Sequence, residues 1–288
     1  MDNSIKTMLD RYNCKSSADY KNAAKEIIQE ITLLGLSRSG FFSKAAFYGG
    51  TALRIFHGLD RFSEDMDFSL LESDLDFDIE YYFPVIVDEL GSFGFDLEIT
   101  KEFKVKESQI QSAFIKDGTI IQIMNVTSID PPVMKIAQNE KIQVKIEIDI
   151  NPPDSATYEV KTRLIPIMHS VKLYDLSSLF AGKIHALLCR NRRVKGRDYY
   201  DYIWYIKNQV PLNLLHLRNR MIQSGHLSPD SVFDRTEVVE QLSLKFISVD
   251  FKKVITDILP FVKDSKEFYS WNAENFINIT KESLLVKS

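Results

Sequence analysis

Cysteine is scarce in this chain: the 288 residues contain two, Cys14 and Cys189. Two thiols cannot build the disulfide framework of a small secreted domain, and no Cys/His spacing of a zinc site accompanies them. Both are therefore expected to be reduced cysteines. Long apolar runs are missing as well. No segment approaches the ~18 apolar residues that a membrane span requires, and the opening MDNSIKTMLDRYNCK has no apolar core of a leader peptide. Internal repeats and low-complexity stretches do not occur. These absences argue against a secreted, disulfide-stapled or membrane-spanning protein and predict a cytoplasmic one.

A strong charge of one sign is also lacking. The net charge of −4 argues against a general coating of nucleic acid. Its distribution is uneven, however. Lys183, Arg190, Arg192, Arg193, Lys195 and Arg197 place six positive charges between 183 and 197 with no acid among them, so the rest of the chain carries −10. One basic segment on an acidic protein predicts a local anion site. The remaining composition, 44% hydrophobic and 26% charged, is that of a globular protein long enough for two moderate domains.

Hydrophobic spacing organises the chain. Residues 17–35 read as an amphipathic helix, with Ser17 as its cap, Ala23, Ile27, Ile28, Ile31 and Leu34 on the apolar stripe, and Gly35 at its end. A short strand is expected over 45–49, a short helix over 51–57, a strand over 65–71 and a helix over 78–91. Residues 95–150 read as sheet: the segment from Phe95 alternates, Lys116-Asp117-Gly118 is a hairpin turn, and β-character resumes at Thr119. The clearest strand is 142–150, where Ile142, Val144, Ile146, Ile148 and Ile150 point one way and Gln143, Lys145, Glu147 and Asp149 the other. Asn151-Pro152-Pro153 stops it. Helical patterns take over from about Leu176. The fold class is α+β, with a sheet and flanking helices over 1–170 and a helical domain over 171–288.

Tyr48-Gly49-Gly50-Thr51 is the first segment with chemical potential. Glycines between a strand and a helix let backbone amides approach a phosphate, and the helix start adds its positive dipole end. Thr51 could cap the helix or offer its hydroxyl to a phosphate, and a plain tight turn is the competing explanation. Arg54, one turn into the helix, could face phosphate or solvent, and Arg61 is open to the same two readings.

Ser63-Glu64-Asp65-Met66-Asp67-Phe68-Ser69 follows. On a strand, Asp65, Asp67 and Ser69 share a face while Met66 and Phe68 take the other. Two carboxylates roughly 6–7 Å apart on one face repel unless a cation relieves them. Mg²⁺ (or Mn²⁺) would do so, since it takes one or two carboxylates together with substrate phosphates. Glu147 and Asp149 share the polar face of strand 142–150, and either could be a third metal ligand if that strand lies beside 65–70. A solvated acidic face is the bland alternative for all four.

The helical half offers counter-charge. Lys183 lies within the apolar stripe Leu176, Leu179, Phe180, Ile184 and Leu187, and Arg190 repeats its position two turns on. A lysine on a packed face needs an anionic partner, and a triphosphate or RNA phosphates would satisfy both cations. A snorkelling lysine at the stripe edge is the competing explanation, and the repeat of the position at Arg190 favours the anionic ligand. Asp198, in Gly196-Arg197-Asp198-Tyr199-Tyr200-Asp201, could cap a helix, pair with Lys183 or Arg190, or act as a base on an acceptor hydroxyl, with structural pairing favoured. His57, His169, His185, His216 and His226 are scattered, and no nucleophile–histidine spacing stands out.

Three strings together resemble a known family: Phe47-Tyr-Gly-Gly-Thr-Ala-Leu-Arg54 continuing to Leu59-Asp-Arg-Phe-Ser-Glu-Asp-Met-Asp-Phe68, Leu179-Phe-Ala-Gly-Lys-Ile-His-Ala-Leu-Leu188, and Val194-Lys-Gly-Arg-Asp-Tyr-Tyr-Asp201. They are similar to the nucleotidyltransferase AbiEii/AbiGii toxin family of the DNA polymerase beta-like superfamily. The resemblance implies a polymerase beta-like mixed sheet followed by a helical lobe. It also implies a toxin of a two-gene toxin–antitoxin or abortive-infection (phage-defence) system, paired with a winged-helix antitoxin. It assigns Gly49, Gly50 and Thr51 to nucleotide binding, Asp65 and Asp67 to metal, Lys183 to the nucleotide, and Asp198, with Asp201 as the alternative, to the acid of the last motif. Family members often carry Ser where this chain has Thr51, which keeps the hydroxyl.

The leading expectation is Mg²⁺-dependent transfer of a nucleotidyl group from an NTP to RNA, tRNA foremost, or to a protein. Transfer to a small molecule of the aminoglycoside kind is an alternative, disfavoured by the basic segment. A non-catalytic component that only binds nucleotide is another, disfavoured by intact carboxylates.

Overall fold

The computed structural model describes residues 3–101, 119–129, 142–190, 194–262 and 266–287. The expected turn at 116–118, and Arg192 and Arg193 of the basic segment, lie outside the described residues. The chain forms two compact units: Met1–Ala52, Phe62–Pro152 and Val160–Leu173 make the first, and Leu53–Arg61, Pro153–Glu159 and Tyr174–Ser288 the second. The sequence predicts a single cut at 170, whereas the second unit also takes in two earlier segments.

The first unit is built on a mixed sheet. Its strands are β1 (Ala45–Tyr48), β2 (Asp65–Leu70), β3 (Phe95–Lys101), β4 (Thr119–Ile129), β5 (Ile142–Asp149), β6 (Tyr158–Arg163) and β7 (His169–Tyr174), in the order β3-β4-β5-β2-β1-β7-β6. β2 pairs antiparallel with β1 and parallel with β5, so the Asp-x-Asp strand is central. The alternation read in β5 is real: Ile142, Val144, Ile146 and Ile148 are at most 2% exposed, and Met66 and Phe68 of β2 are fully buried. β6 and β7 were not individually legible. β7 joins the sheet through a parallel pairing of Leu173 with Phe47, a long-range contact that local alternation does not announce.

Helix α1 spans Asn3–Asp10 and α2 spans Ser17–Arg38. The cap of α2 is Ser16, one residue before the expected Ser17, in a capping box with Asp19. Nor does Gly35 end α2. The helix runs three residues further, and a Cβ at Gly35 would meet the Ile86 backbone at 3.0 Å, so glycine here permits close approach of α4 (Phe83–Ser92). A 3₁₀ turn, Ile79–Tyr82, precedes α4 where one continuous helix was expected.

Helix α2 is buried from Ala23 to Leu36 at nearly every position, including Glu26, Gln29 and Glu30, and such polar groups require partners. Gln29 Nε2 donates to the carbonyls of Ser63 and Glu64 at 3.2 and 3.0 Å, and Lys25 Nζ meets Glu64 at 3.0 Å. These bonds fix the chain where it enters β2. Glu30 pairs with Arg163.

The second unit is mostly helical. It contains α5 (Leu176–Cys189), α6 (Gly196–Lys207), α7 (Leu214–Gln223), α8 (Arg235–Ser248), α9 (Phe251–Ile258) and α10 (Ala273–Ser283), with a short parallel pair of β8 (Leu212–Asn213) and β9 (Val286–Lys287). Asp175, Asn213, Asp234, Asp250 and Asn272 each cap a helix start by accepting from a backbone amide in its first turn. The core is aromatic: Phe180 stacks on Tyr205 at 4.6 Å, and Phe276 meets Tyr202, Phe246, Phe251 and Trp271. Gly196 starts α6 so close to α9 that a Cβ would stand 2.2 Å from the Val254 carbonyl.

Candidate active site

In the first unit, β1 ends at Tyr48 and α3 (Gly49–His57) begins at once, two residues before the expected start. Gly49 makes the turn with φ +81°, a left-handed conformation that side chains disfavour. It also lies against a carboxylate: a Cβ there would be 2.1 Å from Asp67 Oδ2 and 2.8 Å from its carboxyl carbon. Glycine is required twice over, by backbone angle and by space. Gly50 follows in the first helical turn.

Thr51 corrects its expected role. The side chain is fully buried and its hydroxyl donates to the Asp65 carbonyl, tying the helix start to the start of β2. Lying inside the first turn of α3, it does not cap the helix. Arg54 donates to the carbonyls of Leu59 and Asp60 at 3.1 and 2.7 Å, stabilising the turn after α3.

The register of β2 with β5 decides which carboxylates are neighbours. Asp65 pairs with Lys145, Asp67 with Glu147, and Ser69 with Asp149. In-register residues of parallel strands share a face, so Asp65, Asp67, Glu147 and Asp149 stand on one side of the sheet, each half-buried. Glu147 is beside Asp67, across β2 from β1 and its glycine turn, whereas Asp149 lies beside Ser69 and accepts from the Asn151 amide at 3.1 Å. Glu147 is also paired with Lys145. Asp65, Asp67 and Glu147 are not drawn to a common point: they are not a set whose ligand atoms all lie within 4.8 Å of one another. A two-carboxylate Mg²⁺ site completed by substrate oxygens still fits this donor set, with the Asp67 carboxylate seated against the Gly49 backbone.

The second unit holds a buried charge network. Lys183 Nζ lies 2.8 Å from both Asp198 Oδ1 and Asp201 Oδ2. Asp201, wholly buried, accepts Arg61 Nε and Nη2 at 2.6 Å each. Arg190 completes the group by pairing with the other oxygen of Asp198. The expected stripe lysine is thus real, but its anionic partners are two carboxylates of α6. Desolvation opposes the charges on Lys183 and Arg61, yet Asp198 and Asp201 outweigh it and raise both pKa values. Burial opposes ionisation of Asp201, but Arg61 and Lys183 hold its pKa below the ordinary carboxylate value.

Asp198 does not cap α6, whose start has no side-chain cap, so pairing is what its carboxylate does. Arg61 was left between phosphate and solvent by its sequence context, and it turns out to be the bidentate partner of Asp201. The acid 140 residues away gave no local signal of this. Of the remaining basic segment, Arg197 lies over the Phe261 ring at 4.4 Å.

A cavity of about 490 Å³ opens in the same unit, lined by Gly58, Asp60, Tyr200, Trp204, Lys207 and Lys266 among others. Tyr200 donates to Asp60 at 2.6 Å across its wall.

The model of the nucleotidyl transferase AbiEii toxin family, a type IV toxin–antitoxin system, matches residues 31–278. The chain belongs to the AbiEii family. The match takes in the glycine turn, both aspartates of β2, Glu147 and the Lys183 network. AbiEii membership makes the protein a nucleotidyltransferase-family toxin and implies an antitoxin partner. Among solved structures, JHP933 from Helicobacter pylori is 18% identical, with 91% of this chain and 89% of that one covered at a TM-score of 0.49. An antigenic nucleotidyltransferase-like protein from Paracoccidioides brasiliensis is 17% identical, with 70% and 90% covered at 0.38. No curated protein matches. Among the described residues, no helix is long and apolar enough to cross a membrane.

Proposed function

We propose that this chain transfers a nucleotidyl group from a nucleoside triphosphate to an RNA acceptor, tRNA foremost, using Mg²⁺ or Mn²⁺ held by Asp65 and Asp67. The observation that carries the reading is the approach of Gly49 to Asp67: backbone at a helix start and a carboxylate meet where no side chain fits. Glu147, in register with Asp67, is the third carboxylate of this reading in preference to Asp149.

The amides of Gly49 and Gly50 at the positive end of α3 bind phosphate oxygens. Asp65 and Asp67 would hold the cation, which would neutralise phosphate charge during displacement at the α-phosphorus. The acceptor hydroxyl forms the new P–O bond, the α–β bond breaks, pyrophosphate leaves and the hydroxyl proton passes to solvent or a carboxylate. Lys183 and Arg190 serve the nucleotide, positioned by Asp198. Trp204, Lys207 and Lys266 around one cavity suit a nucleobase and a phosphate, which supports a nucleic-acid acceptor. The antitoxin is proposed to be a winged-helix repressor from the adjacent gene, and the site of action the cytoplasm.

The test is incubation of the full-length chain with each α-labelled NTP, Mg²⁺ and total RNA. Label on RNA that Asp65→Asn and Asp67→Asn abolish is the expected result. Label on a small molecule would replace the acceptor, and tight NTP binding without any product would replace the enzyme with a binding component.

A further inference from the structure

We propose that His185, Cys189 and His226 form a zinc site on the helical unit, distinct from the carboxylates of the sheet. The sequence shows no zinc spacing, and folding supplies what it lacks. His185 and Cys189 are four residues apart on α5 and so share one helix face. His226 comes from the turn that ends α7. Gly225, at φ +73°, reverses the chain, and the His226 amide donates to the Met221 carbonyl at 2.8 Å, so its backbone position is fixed.

The ligand atoms of the three side chains all lie within 4.8 Å of one another. Two of them already converge on one point: His185 Nε2 is 3.0 Å and His226 Nδ1 is 2.9 Å from Ser224 Oγ. Tetrahedral zinc, with bonds of about 2.0–2.1 Å to nitrogen and 2.3 Å to sulfur, asks for ligand atoms about 3.3–3.7 Å apart. Two imidazoles and a thiolate are borderline-to-soft donors that suit Zn²⁺ and not Mg²⁺, and the fourth position falls to water or the Ser224 hydroxyl.

Burial and neighbouring Arg220 keep His185 neutral, with its pKa lowered to about 3, so its lone pair is available near neutral pH. The Cys189 thiol, held up at about 11 by burial, gives its proton to solvent as the zinc–sulfur bond forms. Bound zinc would tie the end of the helix that carries Lys183 to the end of α7.

The experiment uses the untagged full-length chain, stripped with a chelator and titrated with Co²⁺ as a spectroscopic stand-in. One equivalent should give the intense visible bands of tetrahedral cobalt and a thiolate-to-cobalt charge-transfer band, both displaced by Zn²⁺. Cys189→Ala should remove the charge-transfer band. His226→Gln, at an exposed position, should weaken binding at least ~10–100-fold, the range seen even for loss of outer-shell partners. Asp65→Asn should leave the spectrum unchanged, which separates this site from the carboxylates. Absence of both band types in the wild-type protein overturns the proposal without recourse to any variant, and so does a charge-transfer band that survives Cys189→Ala.

Discussion

Gly49 faces Asp67 with no room for a β-carbon, which would fall 2.1 Å from Oδ2. Replacing it with alanine imposes both a strained left-handed backbone and a displaced carboxylate. Gly40, at φ +78° with nothing within 4 Å, carries the backbone strain alone. Gly40→Ala should cost ~1 kcal/mol and leave catalysis intact. Gly49→Ala should cost more and reduce transfer ~100-fold or further. Urea unfolding and the labelled-NTP assay, run side by side, check both.

The register of β2 with β5 makes a graded series. Asp65→Asn and Asp67→Asn should each lower transfer ~10²–10³-fold, as loss of a charge aimed at the reacting centre does. Glu147→Gln should fall between these and Asp149→Asn, which should stay near wild type. If Asp149→Asn proves more damaging than Glu147→Gln, the choice of third carboxylate is wrong.

Asp201 is the keystone of the helical unit's charge network, since Arg61 and Lys183 both depend on it. Asp201→Ala leaves two buried cations short of a partner and should cost ~3–5 kcal/mol. The loss should change little between low and high salt, because the pair is shielded from mobile ions. Chemical denaturation at two ionic strengths measures it.

Acid should weaken the fold through a buried histidine. His216 is fully buried, its Nδ1 2.9 Å from the Asp154 carbonyl, and burial with Arg220 nearby lowers its pKa to about 4. The unfolded chain takes up this proton below ~6.5 while the folded chain refuses it until about 4. Stability therefore falls as pH drops across that window, by up to ~3 kcal/mol from this residue. The depressed Asp201 contributes stability that is present above its unfolded value of ~3.9 and is lost as pH falls further. The raised Lys183 contributes stability that is complete below ~10.4 and is lost as pH rises through its folded pKa. Unfolding midpoints against pH should show a plateau between these limbs, and His216→Gln should make the slope between ~6.5 and 4 shallower, the remainder coming from the likewise depressed His185.

Much of the fold was legible because it is written locally. The alternation of β5 appears intact in its burial, the Gly-Gly turn opens a helix, and Lys183 interrupts an apolar stripe as read. Two of the misreadings share one cause. Gly35 looked like a helix terminator and is instead a contact point for Ile86; Thr51 looked like a cap and instead holds the Asp65 carbonyl. In both cases the deciding partner is not a sequence neighbour.

The sequence by itself determined the inventory: two carboxylates on one face of a strand, glycines before a helix, a cation on a packed face, and the motifs that place the chain in its family. Only the tertiary structure decided the pairings: Asp67 beside Glu147, Arg61 on Asp201, and two scattered histidines beside Cys189. Periodicity follows from the backbone's own geometry and is visible along the chain. Partner choice follows from sheet register and helix packing, where distant segments meet.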